Sequence, residues 1–191
     1  EFGHQETETA AFVVDKLRAF GISDITTGIG KTGVVASLRL GSSERTIALR
    51  ADMDCLPIHE TTNLPYSSIK PDLMHACGHD GHTTMLLGAA ARLASEGGFD
   101  GTVHFVFQPA EEWGQGMQSM IADGLGSTIK FDEIYGLHNM PGLPVGQFET
   151  RAGAFMGAED GFTISVHGTG GHASRPHECS DAIVCASSIV S

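Results

Sequence analysis

The feature that most constrains this chain is the alternation of β-rich runs with helix-forming stretches between residues 45 and 139. RTIALRA (45–51) and GTVHFVFQ (101–108) read as strands. Between them HDGHTTMLLGAAARLASEG (79–97), rich in Ala, Leu and Met, reads as a helix that glycines stop. GMQSMIADGL (116–125) then reads as helix and EIYGLHN (133–139) as strand. Such an order predicts an α/β fold with a mostly parallel sheet, because parallel neighbours need a long crossover and a helix supplies it. Upstream, Val13, Leu17 and Phe20 share one face of a helix over 6–20, with Gly21 as its stop. GVVASLRL (33–40) and the run at 45–51, separated by GSSE, predict a hairpin. Around Gly153–Gly161 the texture turns to small residues and glycine. GFTISVHG (161–168) then alternates as a half-solvated strand should, and SDAIVCASSIVS opens a helix with Ser180 or Asp181 as candidate N-cap. We therefore expect one domain over 1–157 and the beginning of a second over 158–191.

Charge narrows the classes of partner. Eleven Lys and Arg stand against 23 Asp and Glu, a net charge of −12 that repels phosphate backbones and anionic membranes. No nucleic-acid or membrane partner is expected, and no apolar run approaches the roughly 20 residues that span a bilayer. The opening EFGHQETETA is acidic and polar, unlike a secretory leader. Cys55, Cys77, Cys179 and Cys185 are irregularly spaced without a CxxC pair, which predicts reduced thiols and a cytoplasmic protein. Histidine is the residue in surplus: there are ten, nearly as many as Lys and Arg together.

Open α/β sheets place ligands beyond the carboxyl ends of their strands. Here the run at 45–51 leads into Asp52 and Asp54, and the run at 101–108 into Gln108, Pro109, Ala110, Glu111 and Glu112. The run at 133–139 ends at His138 and Asn139, and the helix at 79 is preceded by MHACGHDGH, with Cys77, His79, Asp80 and His82. Taken singly, each has a plainer reading. His75 and His82 suit a cap or surface position, Glu111–Glu112 a solvated helix start favoured by the helix dipole, and Asp52 and Asp54 loop acids paired with Arg50. His104, inside a strand, reads as structural. Carboxylates, imidazoles and one thiol meeting on one rim are nevertheless the donor set of a divalent first-row metal.

Five ordered segments, ALRADMDCLPI, MHACGHDGHTTMLLGAA, FQPAEE, GLHNMPGLPVG and GTGGHASRPH, together resemble the peptidase M20 family of metallohydrolases. Within it they resemble the amidohydrolase branch that includes hippurate hydrolase, N-acyl-amino-acid amidohydrolases and auxin-conjugate hydrolases. The opening EFGHQETETAAFV looks like that branch's segment after its first helix. The resemblance implies a zinc-peptidase-like catalytic domain with a mostly parallel sheet (1–157) and the start of an α+β lid domain (158–191) through which members usually form homodimers. It implies a binuclear centre of two divalent metal ions as cofactor: zinc or manganese, with cobalt or nickel as further options. Carried over position by position, it makes Cys77, His79, Glu112 and His138 metal ligands and Glu111 the general base. It makes His172, in the GGHASRPH loop, the group that reaches a substrate carbonyl, in many members across the dimer. Asp54 falls where the family keeps an aspartate that orients the metal shell, and Asp52 where other branches use histidine. Cys55 and Cys179 match no family role, and Cys185 looks like core of the last helix. Members continue well past the end of this sequence to a further metal-binding histidine, so the resemblance implies a piece of a longer enzyme, inactive alone.

The reaction implied is hydrolysis of the amide bond of N-acyl amino acids or small peptide-like amides by a metal-activated water. The competing expectation is a non-catalytic metal-binding and assembly fragment. PAEE argues for the enzyme, since binding alone has no use for a non-ligand Glu beside a ligand Glu.

Overall fold

The computed structural model describes all residues, Glu1–Ser191, as two compact units, Glu1–Gly142 and Leu143–Ser191. The first is built on a five-stranded sheet. Its elements in chain order are α1 (Thr7–Ala19), β1 (Asp24–Ile29), β2 (Gly33–Leu40), β3 (Thr46–Asp52), α2 (His79–Glu96), β4 (Gly101–Gln108), α3 (Gly116–Ala122) and β5 (Glu133–Gly136). The sheet order is β1-β2-β4-β3-β5. β3 pairs in parallel with β4 and β5, and the antiparallel β2 and β1 complete the β4 side. The α/β fold expected from the alternation is present.

Two apolar layers clasp this sheet. Val34, Ala36, Ala51, Val103, Phe105 and Phe107 face α1 and α2, meeting Val13, Leu17, Leu86, Leu87 and Ala90. Val35, Ala48 and Val106 face the other way, toward Met120 of α3 and Leu125. β4 lies at the centre and is buried along almost its whole length, as a parallel strand covered on both faces must be. Its register on β3 sets Gln108 opposite Asp52, so both strands end on one rim.

Two of the expected strand arrangements need correction, and one strand is additional. The runs at 33–40 and 45–51 do not form a hairpin: β4 inserts between them, antiparallel to β2 and parallel to β3. GSSE could turn the chain, but β4 offers both strands a more apolar neighbour. β1 went unread because Asp24, Thr26, Thr27 and Gly28 of this edge strand are exposed and carry no alternation. GFTISVHG (161–168) forms no strand. Its alternation lacks a ladder partner, and an unpaired extended segment leaves its backbone groups to water.

The second unit holds a short 3₁₀ turn, Pro176–Glu178, and α4, Ala182–Val190. Of the two candidate N-caps it is Asp181 that acts, its carboxylate accepting from the Ile183 and Val184 amides at 2.8 and 3.2 Å. Cys185, expected in a core, is exposed, because no element of this unit packs over α4. No helix is long and apolar enough to cross a membrane.

Candidate metal centre

The rim shared by β3, β4 and β5 is where the polar residues converge. β3 delivers Asp52 and, two residues further, Asp54; both are buried, at 0 and 1 % exposure. Gly78 opens α2 with φ +85, and a Cβ there would lie 2.5 Å from Asn139 Oδ1. Only glycine permits both that backbone and that approach, which is why the residue between Cys77 and His79 has no side chain. α2 then turns His79 and His82 inward, one helical turn apart. The loop after β4 carries Ala110 at φ +46, a left-handed backbone that costs a Cβ-bearing residue roughly 1–2 kcal/mol. That reversal sends Glu111 and Glu112 back over the strand ends.

The distances define one cluster. His79 Nε2 lies 3.7 Å from Glu112 Oε1, 3.8 Å from Glu111 Oε2 and 3.7 Å from Asp52 Oδ2. Cys77 Sγ lies 3.5 Å from His138 Nε2. Three overlapping sets have donor atoms within 4.8 Å of one another: Cys77, His79 and His138; His79, Glu111 and Glu112; Asp52, His79 and His82. Cys77, His79, Glu111, Glu112 and His138 therefore stand together. Asp80 does not join them; it is exposed and accepts from the Gly81 amide. His172 belongs to the second unit, where it is exposed and its Nδ1 sits 2.8 Å from Ser174 Oγ.

Behind the cluster runs a network that orients it. Asp54 Oδ1 holds His79 Nδ1 at 3.2 Å, and its Oδ2 accepts from the Glu112 amide at 3.1 Å. Asp52 Oδ1 holds His82 Nδ1 at 2.6 Å, while Arg50 pairs with Asp52 Oδ2 at 2.8 Å and donates to Gln108 Oε1 at 2.7 Å. His82 Nε2 in turn accepts from the Asn139 amide at 3.0 Å, next to His138. His82 is thus not a cap or surface residue but 2 % exposed and inside the site. The sequence signal for it was its spacing three residues after His79, which puts both imidazoles on one helical face. Arg50 does pair with Asp52, as expected, yet the aspartate is no loop acid: it is buried on the rim.

The donors fit a cation. His79 Nε2 and Glu112 Oε1 are buried without a hydrogen-bond partner and lie 3.7 Å apart, while Asp52 Oδ2, also 3.7 Å from His79 Nε2, has the Arg50 guanidinium as its ion-pair partner. With Asp54 accepting from Nδ1–H, the neutral His79 ring turns its Nε2 lone pair toward the Glu112 carboxylate. An unpartnered buried polar group costs about 1–3 kcal/mol, and a positive ion would remove that penalty for both. The titration behaviour points the same way. Burial pushes the Cys77 thiol up, the Glu112 and Glu111 carboxylates push it further, and it reaches about 11. Glu112 is raised by burial despite His79, with Glu111 and Asp54 adding to the rise. Burial lowers His79, but the Asp54 hydrogen bond and the Asp52, Asp54 and Glu112 charges outweigh it and leave the imidazole raised. Burial likewise raises Asp52, yet His82, Arg50 and His79 together bring it down to about 2. The site is an anionic pocket that keeps its thiol neutral, and a bound cation would favour the thiolate.

Known proteins are similar to this chain along its whole length. The sequence profile described as Peptidase family M20/M25/M40 matches residues 48–188. The chain is 48% identical over 190 residues to the hippurate hydrolase of Campylobacter jejuni, spanning all of this chain and 49% of that protein. It is 44% identical over 191 residues to an N-acetyl-L-cysteine deacetylase of Bacillus subtilis, spanning 100% of this chain and 45% of that one. Among solved structures it is similar to a Bacillus subtilis protein described as a dinuclear metal-binding peptidase. That match has TM-score 0.72 and 41% identity, over 76% of this chain and 41% of that chain. The chain spans about half the length of the curated relatives it matches.

Proposed function

This chain belongs to peptidase family M20/M25/M40, a family of hydrolases, and from that premise we propose that its parent protein is a metal-dependent amidohydrolase acting on N-acyl amino acids. The observation that carries the reading is Glu111 beside Glu112 above His79, both carboxylates within 3.8 Å of the same ring nitrogen. Cys77, His79, Glu112 and His138 would hold two divalent ions. Such ions, when bound, supply an acidified water and polarise an amide carbonyl. Which metal serves is open between zinc and manganese, with cobalt or nickel as options; thiolate with imidazole favours zinc.

Glu111 is the residue left for proton transfer. Its side chain is 38 % exposed against 18 % for Glu112, so it reaches water and substrate while its neighbour is committed to the cluster. It takes the proton of the attacking water and hands it to the leaving nitrogen. Asp54 holds His79 in one tautomer and, through the Glu112 amide, holds the Glu pair against the same ring. His172 is assigned to the carbonyl oxygen, whose developing charge its N–H meets. Homodimerisation through the lid and a reducing cytoplasm, which suits four free thiols, complete the reading. Relatives named as hydrolases of N-acyl amino acids support the substrate class. The deciding experiment is Glu111→Gln in the full-length protein, assayed on N-benzoyl- and N-acetyl-amino acids with metal content measured in parallel. Lost turnover with retained metal supports the reading; retained turnover removes Glu111 from it.

A further inference from the structure

We propose that Glu6, more than 100 residues from the PAEE motif in sequence, is a positioning residue for it: its buried carboxylate sets the turn that presents Glu111 and Glu112. The inference rests on the amidohydrolase reading only for its kinetic arm.

Glu6 is fully buried, at 0 % exposure, although it is a carboxylate at the mouth of a helix. It does not cap that helix with its side chain. The Thr9 amide in the first turn is taken instead by Glu1 Oε2, at 2.8 Å. The Glu6 carboxylate spans to two other elements. Its Oε1 accepts from the Ala110 amide at 2.8 Å, and its Oε2 accepts from the Thr32 hydroxyl, in the β1–β2 turn, at 2.5 Å. No Lys, Arg or His bonds to it, so ion pairing does not explain why a carboxylate is buried here.

Ala110 is the residue on which the site geometry turns. It is the left-handed, fully buried residue before Glu111, and a left-handed alanine persists only where its surroundings hold it. Two hydrogen bonds fix its peptide groups: its N–H to Glu6 and its carbonyl from the Gly116 amide at 3.1 Å. Gly3 lies against it from the same N-terminal segment, where a Cβ would stand 3.1 Å from Ala110 Cα. Removing the Glu6 acceptor releases one of the two bonds that oppose relaxation of Ala110. Glu111 and Glu112 then move together relative to His79. A misplacement of about 1 Å in such a group lowers turnover about 100-fold.

Four variants of the full-length protein test this. Glu6→Gln keeps an acceptor for Ala110 and can donate to Thr32. Glu6→Leu keeps the bulk without an acceptor, and Glu6→Asp keeps the charge one methylene short. Thr32→Val cuts the other hydrogen bond and leaves Ala110 held. On N-benzoyl- and N-acetyl-amino acids we expect kcat to fall about 100-fold in Glu6→Leu and more than about 10-fold in Glu6→Asp. KM should change little, and Glu6→Gln and Thr32→Val should stay within about 3-fold of the parent. Amide exchange over residues 110–114 should accelerate in Glu6→Leu and Glu6→Asp and not in Thr32→Val. Parent-like kcat and exchange in Glu6→Leu or, if that variant does not fold, in Glu6→Asp overturn the proposal. So does a kcat loss in Thr32→Val equal to that in the Glu6 variants, which would make the effect one of stability alone. If the parent turns over none of these amides while exchange still responds to Glu6, the substrate reading fails and the positioning role stands.

Discussion

Two glycine-flanked histidine segments can be set side by side. In GHDGH, on the rim of the sheet, His79 and His82 are buried and each is held by its own aspartate, Asp54 and Asp52. In GTGGHASRPH, in the second unit, His172 is exposed, and its near contact is the hydroxyl of Ser174 two residues away. Similar local sequence yields opposite outcomes because the first segment opens a helix packed on a covered sheet, while the second lies in a loop of a unit that has no strand of its own. A preformed cluster needs side chains whose rotamers are locked by packing and by oriented partners; a loop supplies a reach.

The comparison predicts different responses to substitution in the full-length protein. The largest is expected at Glu111, where Glu111→Gln should lower kcat about 10²–10⁴-fold, the range of general acid–base catalysis, with metal content unchanged. A loss of metal instead would make Glu111 a ligand and erase the division of labour within the pair. His172→Ala should lower kcat about 10²–10³-fold, as for a lost oxyanion donor, again with metal retained. Unchanged turnover there would leave the second unit without a part in the chemistry. Asp54→Asn loosens both His79 and the Glu112 amide, and metal affinity should fall about 10–100-fold by direct titration. That result separates the two segments most cleanly, since no substitution around His172 should alter metal affinity at all.

The smallest effect is a pH dependence of stability, and it comes from a histidine outside both segments. His104 is 9 % exposed on β4, with Nδ1 3.1 Å from Ser37 Oγ and Nε2 3.1 Å from the Lys130 carbonyl. Burial lowers its pKa, and the Lys130 carbonyl and Asp24 offset this only in part. The folded state therefore favours the neutral ring. Below about 6.5, where an unfolded histidine takes up a proton, the unfolded chain gains over the folded one. Stability should fall with acidity from there until the folded ring also titrates. Chemical denaturation across that window, with His104→Gln as control, should show a shallower slope in the variant; equal slopes would assign the dependence elsewhere.

What could be read from the sequence had a local cause. α2 lies between Gly78 and Gly97 over a stretch rich in Ala, Leu and Met, and β4 over a run of Val and Phe, so both elements fall where their residues put them. The convergence of Cys77, His79, Glu112 and His138 was legible too, because strand ends in an α/β sheet share a rim. Pairing was not. β2 and β3 are adjacent in sequence and separate in space, since the choice of neighbour depends on the whole apolar face of β4. The alternation at 161–168 had no means of announcing that it lacks a partner strand.

Burial of polar groups divides the two levels most sharply. The sequence alone determined which donor types reach the rim, because each follows directly from the residue that ends a strand or opens a helix. It could not show that His82 is locked between Asp52 and Asn139, or that the carboxylate of Glu6 bonds the Ala110 amide. Those contacts join residues 30 to 104 positions apart. A hydrogen bond over such a separation exists only once packing has excluded water and closed the loop between its partners. The tertiary structure decided it.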